Sequence, residues 1–366
     1  MAKLKVIVSG GGTGGHIFPA IAIANAIKRL RPDTEFLFVG AKGRMEMEKV
    51  PEAGFEIVGL PIMGLQRRLT LKNLKFPIKL IQSAQKARKI IKEFKPDIAI
   101  GVGGYASGPL LRAAKKANVP TLLQEQNSYA GLTNKILGKK ADKICVAYDG
   151  MEQFFPKEKI VLTGNPVRSE VIKLEGKKER AIEFFELDKD KKTLLVVGGS
   201  LGAWSINEAV ERAIPIWKEA NIQVVWQTGK LFHSRAKKAA EGHEKWLKVT
   251  EFIKRMDLAY AVADLVVSRA GALAVSELCL VKKPSIFVPL PSAAEDHQTK
   301  NAKVLTTLSA AHLVKDSNVR EQLGDRVVEL ISVDEELNRL SENISPLGYH
   351  DAADIIANEA LKLINN

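Results

Sequence analysis

Two glycine-rich turns and the histidine that ends one of them carry most of the chemistry legible in this chain. The first turn runs Ser9-Gly10-Gly11-Gly12-Thr13-Gly14-Gly15-His16, the second Gly198-Gly199-Ser200-Leu201-Gly202-Ala203. Glycine lets a backbone approach an anion closely, and the helix start that follows offers N–H groups with a partial positive charge, so phosphate is the guest that each turn suits. His16 stands where those donors converge. With an unperturbed pKa of about 6.5 it suits a general base at neutral pH; the competing reading is a structural hydrogen-bonder.

Gly10, Gly12 and Gly15 also satisfy Gly-x-Gly-x-x-Gly. A dinucleotide site needs an acid at the end of the second strand, whereas Phe36-Leu37-Phe38-Val39 runs into Gly40-Ala41-Lys42. The Lys-Ser/Thr ending of an ATP-binding loop is missing too, and a tight strand–helix turn without ligand remains the alternative. Glu277, in Ser268-Arg269-Ala270-Gly271-Ala272-Leu273-Ala274-Val275-Ser276-Glu277-Leu278, has the chemistry to accept hydrogen bonds from two vicinal ribose hydroxyls, against the alternative of a surface glutamate. Arg168 suits a diphosphate or a boundary salt bridge, and Gln298, in a polar loop, suits sugar hydroxyls. The loops Gly103-Gly104-Tyr105-Ala106-Ser107-Gly108-Pro109 and Glu125-Gln126-Asn127-Ser128-Tyr129-Ala130-Gly131-Leu132-Thr133-Asn134 follow apolar runs, as loops around a crevice at strand carboxyl ends do. Asp188-Lys189-Asp190 precedes a strand and reads as a solvated turn, not a metal site.

To hold such loops the chain must alternate strands and helices, and it does. Short apolar runs occur at 6–8, 35–39, 57–60, 97–102, 121–124, 143–147 and 160–162, and again at 193–197, 223–227, 247–251, 265–268, 284–288 and 311–314, with helical spacing in many of the intervals. This predicts an α/β protein with two doubly wound parallel sheets. Asn165-Pro166 marks a boundary, giving a first domain over 1–166 and a second over 167–346, and the last stretch, 347–366, reads as a terminal helix through Ala353, Ile356, Ala360 and Leu363.

The chain has 366 residues and a formal charge of +13, all of it in the first half: 27 Lys+Arg face 13 Asp+Glu through residue 165, and 28 face 29 thereafter. Ten basic residues lie between Arg67 and Lys95 against one acid, Glu93. Such a face seeks a polyanion. Over Leu69 to Ile81 the lysines alternate with Leu69, Leu71, Leu74, Phe76, Ile78 and Ile81, and stacking aromatics are sparse, which favours an anionic membrane surface over nucleic acid. The later residues Ala84, Ala87, Ile91 and Phe94 read as core. No apolar run approaches the roughly 18 residues of a membrane span, so neither signal peptide nor membrane helix is expected. Cys145 and Cys279 sit in separate apolar contexts as buried free thiols, with no disulfide or metal expected.

Taken in order, Gly11 to His16, Gly103-Gly104-Tyr105, Glu125-Gln126-Asn127, Ala130 to Lys135, Gly164-Asn165-Pro166-Val167-Arg168, Gly198-Gly199-Ser200, Ser268 to Ala272 and Asp296-His297-Gln298 resemble the MurG-type peptidoglycan N-acetylglucosaminyltransferases, which convert lipid I to lipid II. The resemblance implies a GT-B fold, two Rossmann-like domains facing a cleft, and metal-independent, inverting transfer from UDP-GlcNAc with no cofactor. It implies donor contacts at Ser200, Ile253, Ala272, Leu273, Ala274, Val275, Ser276, Glu277 and Gln298, completed by Thr13, Gly14, Gly15, Asn127 and Arg168. Tyr105, Glu125 and Asn134 fall on the acceptor side, and His16 is the base for the C4 hydroxyl of the acceptor's N-acetylmuramyl sugar. Asn207 and Arg269 match family positions without a separable role. The implied place is the cytoplasmic face of the plasma membrane, with other cell-wall synthesis proteins as candidate partners. Leu201 departs from the family's usual glutamine, and the basic patch lacks tryptophan. The readings kept alongside are a related transferase with another glycolipid acceptor, a UDP-GlcNAc 2-epimerase, and a nucleotide-sensing or nucleic-acid-binding protein without turnover.

Overall fold

The computed structural model describes residues 3–63 and 76–365. Arg67, Arg68, Leu69, Leu71, Lys72, Leu74 and Lys75 of the basic stretch lie outside the described residues. The chain divides into two compact units, Met1–Arg168 with Tyr349–Asn366, and Ser169–Gly348.

In the first unit β1 (Lys5–Gly10), α1 (Gly14–Leu30), β2 (Glu35–Ala41), α2 (Glu46–Glu52), β3 (Ile57–Leu60), α3 (Phe76–Phe94), β4 (Ile98–Gly103), α4 (Ser107–Lys116), β5 (Thr121–Glu125), α5 (Leu132–Gly138), β6 (Lys143–Val146) and β7 (Ile160–Leu162) follow one another. All seven strands run parallel in the order β3-β2-β1-β4-β5-β6-β7. Helices cover both faces, which is why the strands are continuous apolar runs rather than alternating ones. Along β1, Val6 and Val8 point into a core with Ile17, Ile23 and Ile27 of α1, while Ile7 points into the opposite core with Ala87 and Ile91 of α3 and Leu110 of α4.

The second unit repeats the plan with α6 (Ser169–Ile172), α7 (Lys178–Phe185), β8 (Thr193–Val197), α8 (Trp204–Glu219), β9 (Gln223–Gln227), α9 (His233–Ala239), β10 (Leu247–Thr250), α10 (Met256–Val262), β11 (Leu265–Ser268), α11 (Ala272–Leu280), β12 (Ser285–Phe287), α12 (His297–Thr307), β13 (His312–Leu313), α13 (Val319–Ile331) and α14 (Asp334–Ile344). Its sheet, also parallel, has the order β10-β9-β8-β11-β12-β13. The chain then returns: α15 (Ala352–Asn365) packs on α1 with Ile356, Ala357 and Ala360 fully buried. Arg29 of α1 reaches Asp354 of α15 at 2.6 Å.

In each sheet the order reverses beside the strand that carries a glycine turn, between β1 and β4 and between β8 and β11. A ligand crevice forms at the carboxyl ends of strands at such a switch point, because the connecting loops diverge to opposite faces there. The motif-bearing loops after β1, β4, β8 and β11 are the loops that flank these two points. Cys145 and Cys279 are buried free thiols, which burial pushes up to about 12. Asp188 accepts the Asp190 N–H at 3.0 Å in a surface turn.

Candidate active site

In the first unit, α1 begins at Gly14, directly after the turn, and its first turn closes with His16 and Ile17 N–H groups donating to the Thr13 carbonyl. The amides of Thr13, Gly14 and Gly15 precede those bonds at the positive end of a 17-residue helix. His16 is held from two sides. Its Nδ1 lies 3.0 Å from the Gly11 carbonyl oxygen. A carbonyl only accepts, so Nδ1 carries the hydrogen of the neutral ring and Nε2 carries the lone pair. From the other side β4 ends in a register shift opposite Ser9 and Gly10, and its Gly103 has φ +103°. A Cβ there would stand 2.8 Å from His16 Cδ2 and 2.9 Å from Nε2. Gly104, φ +87°, presses on the Gly11 backbone where no side chain fits. The glycine pair lets β4 close on the imidazole.

One contributor had no motif to announce it. Glu46, at the start of α2, is 1% exposed, and its carboxylate accepts the Gly12 N–H and the Ala41 N–H, each at 2.9 Å. Part of the donor capacity expected of the first turn is therefore taken up by the protein itself. The only hint in the sequence was glycine at both 11 and 40, where a Cβ would collide with the Glu46 side chain.

The loop after β5 is organised from below. Glu125, 2% exposed, accepts the Asn127 N–H at 3.0 Å, the Gly131 N–H at 3.0 Å and the Asn134 side-chain amide at 2.9 Å. Asn134 is 3% exposed. Expected on the acceptor side, both lie under the loop and shape it, leaving Asn127 at the half-buried rim and Tyr105 47% exposed. Arg168 is exposed, its guanidinium 4.8 Å over the Phe18 ring.

Beside these loops α3, α4 and α5 enclose an apolar cavity of about 450 Å³, lined by Leu80, Ile81, Leu132 and Ile136 among others, with Arg88, Arg112 and Lys116 in its wall. No helix among the described residues is long and apolar enough to cross a membrane.

In the second unit the turn after β8 is braced by Gln227, whose side-chain amide donates to the Gly199 carbonyl at 2.9 Å and whose oxygen accepts the Ile253 N–H at 3.1 Å. This one side chain links the glycine turn to the buried Ile253. Ser200 is exposed and Leu201 80% exposed. Asn207 is a strut: its amide donates to the Thr228 carbonyl at 2.8 Å and its oxygen accepts the Trp226 indole N–H at 2.9 Å. Arg269 is another, donating to the Val288 and Pro289 carbonyls, to Ser205 and to Asp316 at 2.6 Å. Both support the turn without presenting a group at its surface. α11 starts at Ala272 and brings Ala272, Leu273, Ala274, Val275 and Ser276 into its first turns; Glu277 is half-buried and accepts the Tyr260 hydroxyl at 2.9 Å. Gln298, at the start of α12, accepts the Leu290 N–H at 2.9 Å. Asp257, on α10 just after Ile253, is pulled well below the usual carboxylate range by Arg255, against burial and with help from Lys177.

The chain matches two family models, the Glycosyltransferase family 28 N-terminal domain over residues 6–146 and the Glycosyltransferase family 28 C-terminal domain over residues 193–357. It is 56% identical over 364 residues to a protein of Bacteroides thetaiotaomicron named "UDP-N-acetylglucosamine--N-acetylmuramyl-(pentapeptide) pyrophosphoryl-undecaprenol N-acetylglucosamine transferase", covering 99% of this chain and 98% of that protein. The crystal structure of MurG from Acinetobacter baumannii superposes with a TM-score of 0.79 at 27% identity, covering 98% of this chain and 99% of that one. The UDP-GlcNAc 2-epimerase from Neisseria meningitidis, solved with UDP-GlcNAc bound, has a TM-score of 0.66 at 16% identity over 98% of this chain and all of that one, a likeness of fold alone.

Proposed function

The chain belongs to glycosyltransferase family 28, among the N-acetylglucosamine transferases that act on undecaprenyl-linked N-acetylmuramyl-pentapeptide, and on that premise we propose how its residues carry out the transfer. It is a hexosyltransferase that moves GlcNAc from UDP-GlcNAc to lipid I and so makes lipid II in peptidoglycan synthesis.

The acceptor's C4 hydroxyl attacks the anomeric carbon of the donor. A C–O bond forms from the face opposite the leaving group, the bond to the UDP oxygen breaks, and configuration inverts. The hydroxyl proton goes to Nε2 of His16. What carries this reading is the fixed imidazole, with Nδ1 tied to the Gly11 carbonyl and Gly103 pressed against the ring, since a general base works only from a held geometry.

The second unit takes the donor. Glu277 receives the ribose hydroxyls, oriented by Tyr260; Ile253 lies beside the uracil; Ser200 and the α11 start, Ala272 to Ser276, face ribose and phosphates; Gln298 meets the sugar. Backbone amides and a helix terminus meet the negative charge that grows on the departing diphosphate, and they need no reorganisation as it develops. In the first unit Thr13, Gly14, Gly15, Asn127 and Arg168 complete the donor contacts. Tyr105 faces the acceptor, and Glu125 with Asn134 shapes the loop beside it.

The lipid end of the acceptor meets the first unit at the apolar cavity between α3, α4 and α5, where exposed Leu80 and Ile81 stand among Arg88, Arg112 and Lys116. That combination suits an anionic membrane surface, with the protein held peripherally on the cytoplasmic face and open there to other cell-wall synthesis proteins.

The purified protein tests the whole reading. With UDP-GlcNAc and a lipid I analogue it releases UDP only when both are present. Formation of N-acetylmannosamine without acceptor would replace transfer by epimerisation, and tight, salt-sensitive oligonucleotide binding without UDP release would replace both.

A further inference from the structure

We propose that Glu46 is a positioning residue for His16, acting through the single peptide group that joins Gly11 to Gly12. The proposal rests on His16 being the base. The Gly12 N–H and the Gly11 C=O are the two ends of one planar amide. Glu46 Oε2 accepts from the nitrogen end at 2.9 Å, and His16 Nδ1–H donates to the oxygen end at 3.0 Å. Carboxylate, peptide and imidazole form one chain of hydrogen bonds in which each polarises the next. A Ser-His-Asp triad places its carboxylate directly on the histidine nitrogen; here an amide stands between the two and transmits the same two effects. The tautomer is fixed with the lone pair on Nε2, and the buried negative charge favours the imidazolium that forms when Nε2 takes a proton.

The surroundings are built for this. The carboxylate is anchored a second time at the end of β2, by the Ala41 N–H at 2.9 Å, so it cannot swing away from the turn. A Cβ on Gly40 would lie 2.5 Å from Glu46 Cγ, and one on Gly11 would collide with Oε1; both glycines make room for this side chain. No ion pair to Glu46 is found among the described residues, so its charge is turned toward amides rather than cancelled by a cation.

Of the other charges on and around α1, Arg168 is near its start, the guanidinium 4.8 Å over the Phe18 ring, where a cation disfavours the imidazolium and is the same in wild type and the Glu46 variants. Others lie away from the start of α1. Lys28 and Arg29 are in its last turn, Asp354 of α15 pairs with Arg29, and Glu359 pairs with Lys143 and Lys362. Lys5 sits at the opposite end of β1 from the glycine turn, β4 brings no titratable group, and on α2 the remaining charges are Glu48, Lys49 and Glu52, the last two paired with each other.

With one peptide group and hydrogen bonds of 2.9 and 3.0 Å between carboxylate and ring, removing the charge is expected to move the imidazole titration down by on the order of one pH unit. The test uses the full-length protein with isotope-labelled histidine. His16→Ala identifies the His16 signal by its loss. In Glu46→Gln the His16 titration falls by about one pH unit, and the acidic limb of the kcat/KM profile with a lipid I analogue falls with it. The kcat drops about tenfold and UDP affinity stays near wild type, while the melting temperature falls, since the glutamine side chain can accept only one of the two N–H groups that the carboxylate holds. If Glu46→Gln does not fold, Glu46→Asp carries the test. It keeps the charge but draws it back by one carbon, giving a smaller shift in the same direction, and the wild-type ring nitrogen shifts report the tautomer without any variant.

A His16 titration unchanged in the folded Glu46 variants, or a wild-type ring protonated at Nε2, overturns the proposal. Full turnover by His16→Ala overturns the base reading instead, and the titration still reads the coupling separately.

Discussion

Gly103→Ala isolates the contact that holds the imidazole. The new Cβ would stand 2.8 Å from His16 Cδ2, where ordinary contact begins at 3.4 Å, so the ring has to retreat by about 0.6 Å or the end of β4 has to back away. The φ of +103° adds strain of about 1–3 kcal/mol for any residue with a Cβ, and that strain falls on the same loop. Misplacing a reacting group by about 1 Å costs on the order of a hundredfold in rate. The expected outcome is a kcat lowered by about 10²-fold, with UDP affinity within about twofold of wild type, measured by single-turnover UDP release and by calorimetry. A double-mutant cycle sharpens the test. His16→Ala alone loses about 10²–10⁴-fold. If the methyl group introduced by Gly103→Ala acts through the ring, combining that substitution with His16→Ala costs no more than about threefold beyond His16→Ala alone, because sites sharing one interaction are not additive. Independent, multiplying losses would refute the reasoning, as would a Gly103→Ala enzyme with wild-type kcat.

Three further outcomes are expected. Glu277→Gln, which keeps the shape presented to Tyr260, weakens UDP binding by about 10- to 100-fold, the worth of charge-assisted bonds to ribose hydroxyls; unchanged affinity in calorimetry would remove Glu277 from the donor site. Asp257→Asn breaks the grip on Arg255 and Lys177, at 2.7 Å each, and destabilises the second unit by about 2 kcal/mol at pH 7, below the 3–5 of a fully buried pair because Arg255 is partly open to solvent. The Asp257 pKa is depressed in the folded state, so its stabilisation is complete above its unfolded value of about 3.9 and is lost as pH falls below that toward the folded value. The gap between wild-type and variant melts therefore narrows only below about pH 4, and narrowing already between pH 7 and 5 would contradict the assignment. Replacing Arg88, Arg112 and Lys116 together by glutamate weakens sedimentation with anionic vesicles at least about tenfold and spares turnover of a short-chain acceptor analogue; equal vesicle binding would leave the cavity wall without a membrane role.

The sheets were legible because parallel strands covered on both faces have to be apolar throughout, and runs such as Thr193 to Val197 or Gln223 to Gln227 have little else they can become. The glycine turns were legible for the same kind of reason: Gly12, Gly103, Gly199 and Gly202 all adopt positive φ, which other residues rarely tolerate. What escaped were residues that act from underneath. Glu46 sits in Arg44-Met45-Glu46-Met47-Glu48-Lys49, one acid among several on a short helix, and nothing local separates the buried carboxylate from the exposed Glu48. Glu125 and Asn134 were read on the acceptor side, and the Glu125 carboxylate with the Asn134 amide nitrogen also braces their own loop, a second task that the sequence does not announce. Gln227, Asn207 and Arg269 make the same point in the second unit: a polar residue at a strand end or on a helix either presents itself or braces a neighbour, and only the fold says which.

The return of the last helix to the first unit bears on how the molecule is made. As the ribosome moves along the message, the Ser169–Gly348 lobe emerges whole, whereas its predecessor waits with the groove beside Ile23 and Ile27 uncovered until the later codons deliver Ile356, Ala357 and Ala360. A nascent chain cut short before that point would expose a greasy seam, so premature termination is expected to yield material for chaperones and proteases rather than a half-working lobe.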